Sequence, residues 1–177
     1  DAIIKDFDAA IATGSNNTAR YFEQYFGHVP NMIRRNRSSV GVLSGQESTA
    51  QLEALGDDIF RYFGLGCRSV SKVFVPMDYS FNNFFEAIIG HGERGNHAKF
   101  HNNYMYHRAI YLLNQDDFLD NNFLVVKEDE KHQSPIGCLF YEFYDNIEDV
   151  RKKLALVENE IQCVTGLIGK GLGNAQQ

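Results

Sequence analysis

Short apolar runs alternate with segments of helical periodicity along most of this chain. Runs of strand length occupy residues 9–12, 39–45, 70–75, 123–126, 136–144 and 161–164, and helical patterns occupy 16–27, 48–62, 81–89, 104–113 and 147–157. Such alternation is typical of parallel sheets, because each parallel connection has to cross over a face of the sheet. We therefore predict a three-layer α/β fold, with a largely parallel sheet and helices on both faces.

Composition narrows the class of partner. The chain has 177 residues and a net charge of −6, so a nucleic acid partner is not expected. No apolar run approaches the roughly 20 residues of a membrane span. The three cysteines are far apart in sequence, which argues against a disulfide framework or a zinc ribbon and favours a cytoplasmic location.

Cys67 lies in a different setting from the other two cysteines. Residues 64–67 read Gly-Leu-Gly-Cys between a helical pattern and a strand pattern, whereas Cys138 and Cys163 are embedded in apolar strand sequence. Glycines let a substrate carbonyl approach and leave backbone N–H groups free to hold an oxyanion. The neighbouring Arg68 would favour the thiolate. Cys67 is therefore a candidate nucleophile, and an inert structural cysteine is the alternative.

The order of these motifs resembles that of aldehyde dehydrogenases. In that family a helix ends in a Gly-x-x-Cys turn with the catalytic cysteine, and a strand ending near a proline follows, as in residues 64–76. Residues 40–43 fall where the family has the first strand of its catalytic domain, and residues 134–137 resemble its later Gly-Pro-Val turn. The resemblance covers nearly the whole chain and implies an aldehyde-dehydrogenase-like catalytic domain with Cys67 as its nucleophile.

A glycine turn near the start of the chain is the candidate cofactor contact. Thr13, Gly14 and Ser15 follow an apolar run and precede a helical pattern. Such a turn presents N–H groups and a helix dipole to a phosphate, although helix capping alone would also explain it. Because the turn resembles the superfamily's Thr-Gly-Ser turn, we assign these three residues to cofactor binding, together with Glu130 in the acidic segment 127–130.

Within the superfamily, the sequence is similar to the acyl-CoA reductase group, which includes the fatty acid reductase of bacterial luminescence. The similar segments are residues 12–20, 62–72, 119–121 and 127–130. The resemblance implies reduction of a fatty acyl-CoA thioester to an aldehyde with NADPH, through an acyl-enzyme on Cys67. It also implies a homo-oligomer or a complex with acyl-transfer partners.

One difference between this sequence and the family's pattern bears on whether the enzyme forms an acid. Hydrolytic aldehyde dehydrogenases carry a glutamate before the first catalytic strand, where it activates water. Aligning residues 38–40 with the start of that strand puts Ile33 at this position, and residues 29–45 contain no carboxylate. An enzyme that exchanges acyl groups with CoA needs no such base, so the absence favours a thioester enzyme over an acid-forming one.

The resemblance also divides the chain. Residues 1–27 are expected to be a remnant of a dinucleotide-binding domain, residues 28–166 the catalytic domain, and residues 167–177 a disordered tail. Since most of the family's dinucleotide domain lies upstream of such a segment, we expect the chain to be part of a longer protein that supplies most of the NADPH site.

Two further interpretations stay open. An acid-forming dehydrogenase, or a non-catalytic binding or assembly domain, could be built on the same fold. A metal site is not expected, because the nearby histidines, with His97 and His101 four residues apart, lack coordinating partners that would complete a set.

Overall fold

The computed structural model describes residues 7–14 and 16–177. These residues form two compact units, one that ends at Asn36 and one that spans Arg37–Gln177. The first unit is a βαβ crossover with strand Ala10–Thr13 (β1), helix Asn16–Phe26 (α1) and strand Asn31–Arg34 (β2). β1 and β2 pair in parallel. β2 was not predicted, because its four residues carry little apolar signal. Its pairing with β1 brings residues 31–34 into the first unit.

The second unit is built on a six-stranded sheet with the order β5-β6-β7-β4-β3-β8. Its strands are β3 (Ser38–Val42), β4 (Val70–Pro76), β5 (Leu119–Asp120), β6 (Val125–Glu128), β7 (Cys138–Tyr144) and β8 (Ile161–Gly166), and its helices are α2 (Thr49–Phe60), α3 (Asn82–Ala87), α4 (Ala98–Asn114) and α5 (Ile147–Leu156). Every pairing is parallel except β5 with β6. The predicted α/β class is therefore confirmed.

Helices cover both faces of this sheet. On one face, Leu55 of α2 and Phe84 of α3 belong to the same buried cluster as Val73 of β4. On the other, Val42 of β3 packs in a cluster with Val150 of α5. Among the described residues, no helix has the length and apolar character needed to cross a membrane.

Helix α4 begins earlier than its sequence pattern indicated. The helical pattern in the sequence covers residues 104–113, yet α4 starts at Ala98 and a 3-10 segment spans Ile89–Asn96. Phe100 and Tyr104 are the buried residues of α4, four positions apart on one face. The polar residues around them hide this spacing in the sequence.

The last residues correct a second expectation, because the structure does not leave 167–177 as a disordered tail. The backbone N–H groups of Gly173 and Ala175 donate hydrogen bonds to the carboxylate of Asp58 on α2, at 2.7 and 3.0 Å. Asp58 is 1% exposed, and Ala175 is fully buried. The many glycines suggested disorder, but Gly173 adopts a φ of +83°, which lets the chain turn onto α2.

Replacing Asp58 by alanine should release this segment. Two buried N–H groups would lose their acceptor, so we expect the free energy of unfolding to fall by about 1–3 kcal/mol, with faster amide hydrogen exchange in residues 171–176. Asp57→Ala is the matched control, because Asp57 makes a half-exposed ion pair with Arg94 at 3.4 Å and such pairs contribute about 0–1 kcal/mol. Unchanged exchange in Asp58→Ala would show that other contacts hold the segment.

Candidate functional site

The chain reaches Cys67 through a reversal of its backbone after α2. Helix α2 begins with a capping box between Ser48 and Gln51 and ends at Phe60. Tyr62 and Phe63 then adopt positive φ values of 55° and 57°, a left-handed conformation that costs about 1–2 kcal/mol per residue. Such strain clusters at functional sites, and here it comes immediately before the cysteine turn. The Phe63 ring stacks on His97 with a centroid distance of 4.1 Å.

Cys67 itself is exposed in a tight turn. The turn is closed by a hydrogen bond from the Ser69 N–H to the Gly66 carbonyl at 2.9 Å, and the Ser69 hydroxyl donates to the Arg61 carbonyl at 3.1 Å. The Cys67 carbonyl accepts a hydrogen bond from the Ser39 hydroxyl at 3.0 Å. The turn is thus tied both to the end of α2 and to β3.

Three backbone donors around the thiol have no acceptor among the described residues. The N–H groups of Gly66, Cys67 and Arg68 donate no hydrogen bond to any of residues 7–14 and 16–177. Consecutive free N–H groups can bind an anion, and donors next to a nucleophile can stabilise the oxyanion formed by its attack. This arrangement can therefore support acyl transfer to Cys67.

Cys67 lies at the amino end of β4, because that strand begins at Val70. Open α/β sheets usually bind ligands at the carboxyl ends of their strands. The physical reason for the amino-end location is that Cys67 belongs to a helix-to-strand connection, which meets the sheet where the next strand starts.

The other two thiols are buried. Burial raises the pKa of Cys138 to about 12, and a hydrogen bond with Tyr111 opposes this only in part. The pKa of Cys163 is also raised by burial, against the opposing charges of Lys170 and Arg68. Both settings disfavour the thiolate, which is the reactive form of cysteine.

The side chain of Arg68 contacts Ala175 in the last segment. Its guanidinium donates to the Ala175 carbonyl at 3.2 Å, and its charge acts on Cys163. The residue that we expected to favour the Cys67 thiolate is therefore anchored to the segment that docks on Asp58.

Glu130 lies in the connection from β6 to β7, which contacts β4 at Ser71 and Lys72. Lys72 is fully buried. Its ammonium donates to the Glu130 carbonyl at 2.9 Å and to the Glu142 carboxylate at 2.7 Å. The Ser71 hydroxyl donates to the carbonyl of His132 at 3.1 Å. These bonds fix the backbone of Glu130 against the strand that follows Cys67 and leave the residue itself exposed.

Ionisable side chains that affect one another's pKa values also surround this connection. Burial tends to raise the pKa of Glu142, but hydrogen bonds from Lys153 and Lys72 outweigh it, so the net pKa lies below the usual value. Burial lowers the pKa of His132, and the charge of Lys72 lowers it further. The imidazole of His132 is therefore biased towards its neutral form.

The glycine turn lies in the first compact unit. The Gly14 N–H already donates to the Arg34 carbonyl at 3.2 Å, and Thr13 pairs with Arg34 in the parallel ladder. A Cβ on Gly14 would come within 2.9 Å of the Thr18 side chain, so this position requires glycine. Ser15 lies outside the described residues. The amino end of α1 remains the feature that could attract a phosphate.

The histidines that raised the metal question have aromatic partners. His91 stacks on Phe60 with a centroid distance of 5.2 Å, and His97 stacks on Phe63. In the part of the chain that the structure describes, no group of three or more His, Cys, Asp or Glu residues could hold a metal ion.

Sequence reasoning missed Ser39 and Lys72. Their only signal was a polar residue within an otherwise apolar strand, a lysine in β4 and a serine at the start of β3. Buried polar groups need hydrogen-bond partners. The sequence could therefore have indicated that both residues make polar contacts, but it could not have identified their partners.

Comparison with known proteins identifies the fold. No protein-family model matches the chain, and no curated protein sequence does. Solved structures do match. A bifunctional proline utilization A protein has a TM-score of 0.63 at 14% identity, with 90% of this chain and 20% of that one covered. The aldehyde dehydrogenase KauB from Pseudomonas aeruginosa has a TM-score of 0.62 at 10% identity, with 93% and 40% covered.

An indole-3-acetaldehyde dehydrogenase complexed with NAD+ matches with a TM-score of 0.59 at 14% identity, over 82% of this chain and 37% of that one. The chain thus spans between 20% and 40% of the length of these three proteins. The second unit has the α/β fold of aldehyde-dehydrogenase-like proteins, as the sequence resemblance implied.

Proposed function

We propose that this chain carries the catalytic cysteine of an oxidoreductase that reduces a fatty acyl-CoA thioester to an aldehyde with NADPH. The observation that supports this most is the exposed Cys67 beside three free backbone N–H groups. The aldehyde-dehydrogenase-like fold and the similarity of residues 62–72 to acyl-CoA reductases point to the same chemistry.

The first half of the reaction is transfer of the acyl group to Cys67. The thiolate sulfur bonds to the thioester carbonyl carbon, and the free N–H groups stabilise the oxyanion. The bond from carbon to the CoA sulfur then breaks, and the proton from Cys67 ends on the departing CoA thiol. The products are the acyl-enzyme and free CoA.

The second half replaces sulfur by hydrogen. NADPH, when bound, supplies a hydride to the acyl carbon. The carbon–sulfur bond to Cys67 breaks, the thiolate is restored, and the aldehyde departs. We assign Thr13, Gly14 and Ser15, which precede α1 in sequence, and the exposed Glu130 to holding the cofactor.

Two alternatives are less well supported. An acid-forming relative would need a base for water, and residues 29–45 contain no carboxylate. A non-catalytic assembly domain would be favoured by a buried, inert Cys67, but this thiol is exposed.

Acyl transfer to Cys67 can be tested without the cofactor. Incubation of the chain with the N-acetylcysteamine thioester of octanoic acid should release one thiol for each octanoyl group found on the Cys67 peptide by mass spectrometry. Cys67→Ser should release almost no thiol under the same conditions. Where a complete NADPH site is present together with this chain, addition of NADPH should convert the adduct to octanal. An adduct on Cys138 or Cys163 instead would contradict the proposal.

A further inference from the structure

We infer that Ser39 is a positioning residue for Cys67, an assignment that rests on the proposed function. Ser39 is fully buried, and its hydroxyl donates a hydrogen bond of 3.0 Å to the Cys67 carbonyl. The two residues are 28 positions apart in sequence, so this bond is a long-range tie between β3 and the nucleophile turn.

The strand register is irregular on both sides of Ser39. Towards β4, Ser39 pairs with Val70 and Val40 with Lys72, which leaves Ser71 as an extra residue. Towards β8, Ser38 pairs with Ile161 and Ser39 with Cys163, which leaves Gln162 extra. Bulges next to active sites redirect side chains. Here both neighbouring strands bulge at the level of the serine that contacts Cys67.

The side chain of Ser39 lies on the correct face of the sheet for this role. Val40 and Val42 pack in the cluster with α5, whereas a Cβ on Gly41 would contact Leu55 of α2. Because side chains alternate along a strand, Ser39 belongs with Gly41 on the α2 face. The connection from α2 to β4, which carries Cys67, crosses on that face.

The hydrogen bond fixes the orientation of a peptide plane. The C=O of Cys67 and the N–H of Arg68 belong to one planar trans peptide and point in opposite directions. Holding the carbonyl on Ser39 therefore directs the free Arg68 N–H away from β3. An oxyanion donor is effective only when it is held in place before the reaction, so Ser39 should affect acyl transfer more than the intrinsic reactivity of the thiol.

This difference provides the test. We expect Ser39→Ala to slow transfer from octanoyl-N-acetylcysteamine to Cys67 by about 10- to 100-fold, because small displacements of reacting groups have effects of this size. Alkylation of Cys67 by iodoacetamide forms no oxyanion and should change by less than about 3-fold, since it needs no aligned donor. Ser39→Thr keeps the hydroxyl and should retain acyl transfer.

Ser38→Ala is the matched control, because Ser38 is the neighbouring residue of the same strand and is 6% exposed. It should leave both rates unchanged. Equal slowing of both reactions by Ser39→Ala, or no slowing of either, would overturn the inference. If Ser39→Ala is unfolded by circular dichroism, slow acyl transfer in folded Ser39→Thr would also overturn it. If wild-type Cys67 takes up no octanoyl group, the proposed function itself fails.

Discussion

Iodoacetamide near neutral pH should alkylate the exposed Cys67 much faster than the buried Cys138, because each unit by which burial raises the pKa of Cys138 lowers its thiolate population about tenfold. The pKa of Cys138 is raised from 9.0 to about 12 by burial, so its thiolate is scarce, and its side chain is shielded as well. Cys163 has a raised pKa and is 8% exposed, so it should also react slowly. Peptide mapping after short labelling times measures all three rates.

Labelling in concentrated guanidinium is the control for this comparison. Unfolding removes both burial and the pKa shifts, so the three cysteines should then react at similar rates. In the folded Cys67→Ser variant, rapid labelling should disappear. Preferential labelling of Cys138 or Cys163 in the folded wild type would remove Cys67 as the nucleophile.

The fold of the second unit could be predicted because its strands and helices differ clearly in periodicity. Buried runs such as β4 and β7 carry mostly apolar residues, and α2 combines a capping box with buried Leu52, Leu55 and Ile59. β2 was not predicted because two of its four residues, Asn31 and Arg34, are polar, and β5 was not predicted because a strand of two residues has no periodic pattern. The packed conformation of residues 167–177 was not predicted for a different reason. It depends on hydrogen bonds to Asp58, a residue more than a hundred positions away.

The sequence predicted those features of the candidate site that depend on neighbouring residues, but not its long-range contacts. The glycines around Cys67 indicated an open backbone, and the structure places the thiol at the surface with free N–H groups beside it. The contacts of Ser39 and Lys72 depend on strand order and on bulges, which a single sequence does not encode locally. The amino-end location of Cys67 follows from chain direction and could have been derived from the predicted helix before it and strand after it.

The acyl-enzyme on Cys67 should be long-lived when no reductant is present. Assistance by a general base typically accelerates hydrolysis by about 10²–10⁴-fold, and residues 29–45, which the proposed alignment places over the glutamate of hydrolytic aldehyde dehydrogenases, contain no carboxylate. Where a complete NADPH site is present together with this chain, mass spectrometry should therefore show the octanoyl adduct persisting without NADPH and disappearing as octanal when NADPH is added. Added thiols should also remove the acyl group, because a thiolate attacks without needing a base to activate water.

Rapid release of octanoic acid without NADPH would contradict this and would favour the acid-forming alternative. Glu130 and His132 are then the bases to examine, since the connection that carries them is hydrogen-bonded to Ser71 and Lys72 of β4, the strand that follows Cys67. His132 is held towards its neutral, proton-accepting form, and its Nδ1 atom has no hydrogen-bond partner among residues 7–14 and 16–177. Loss of the rapid release in His132→Gln but not in Glu130→Gln would assign the base to this imidazole, and the reverse result would assign it to the carboxylate.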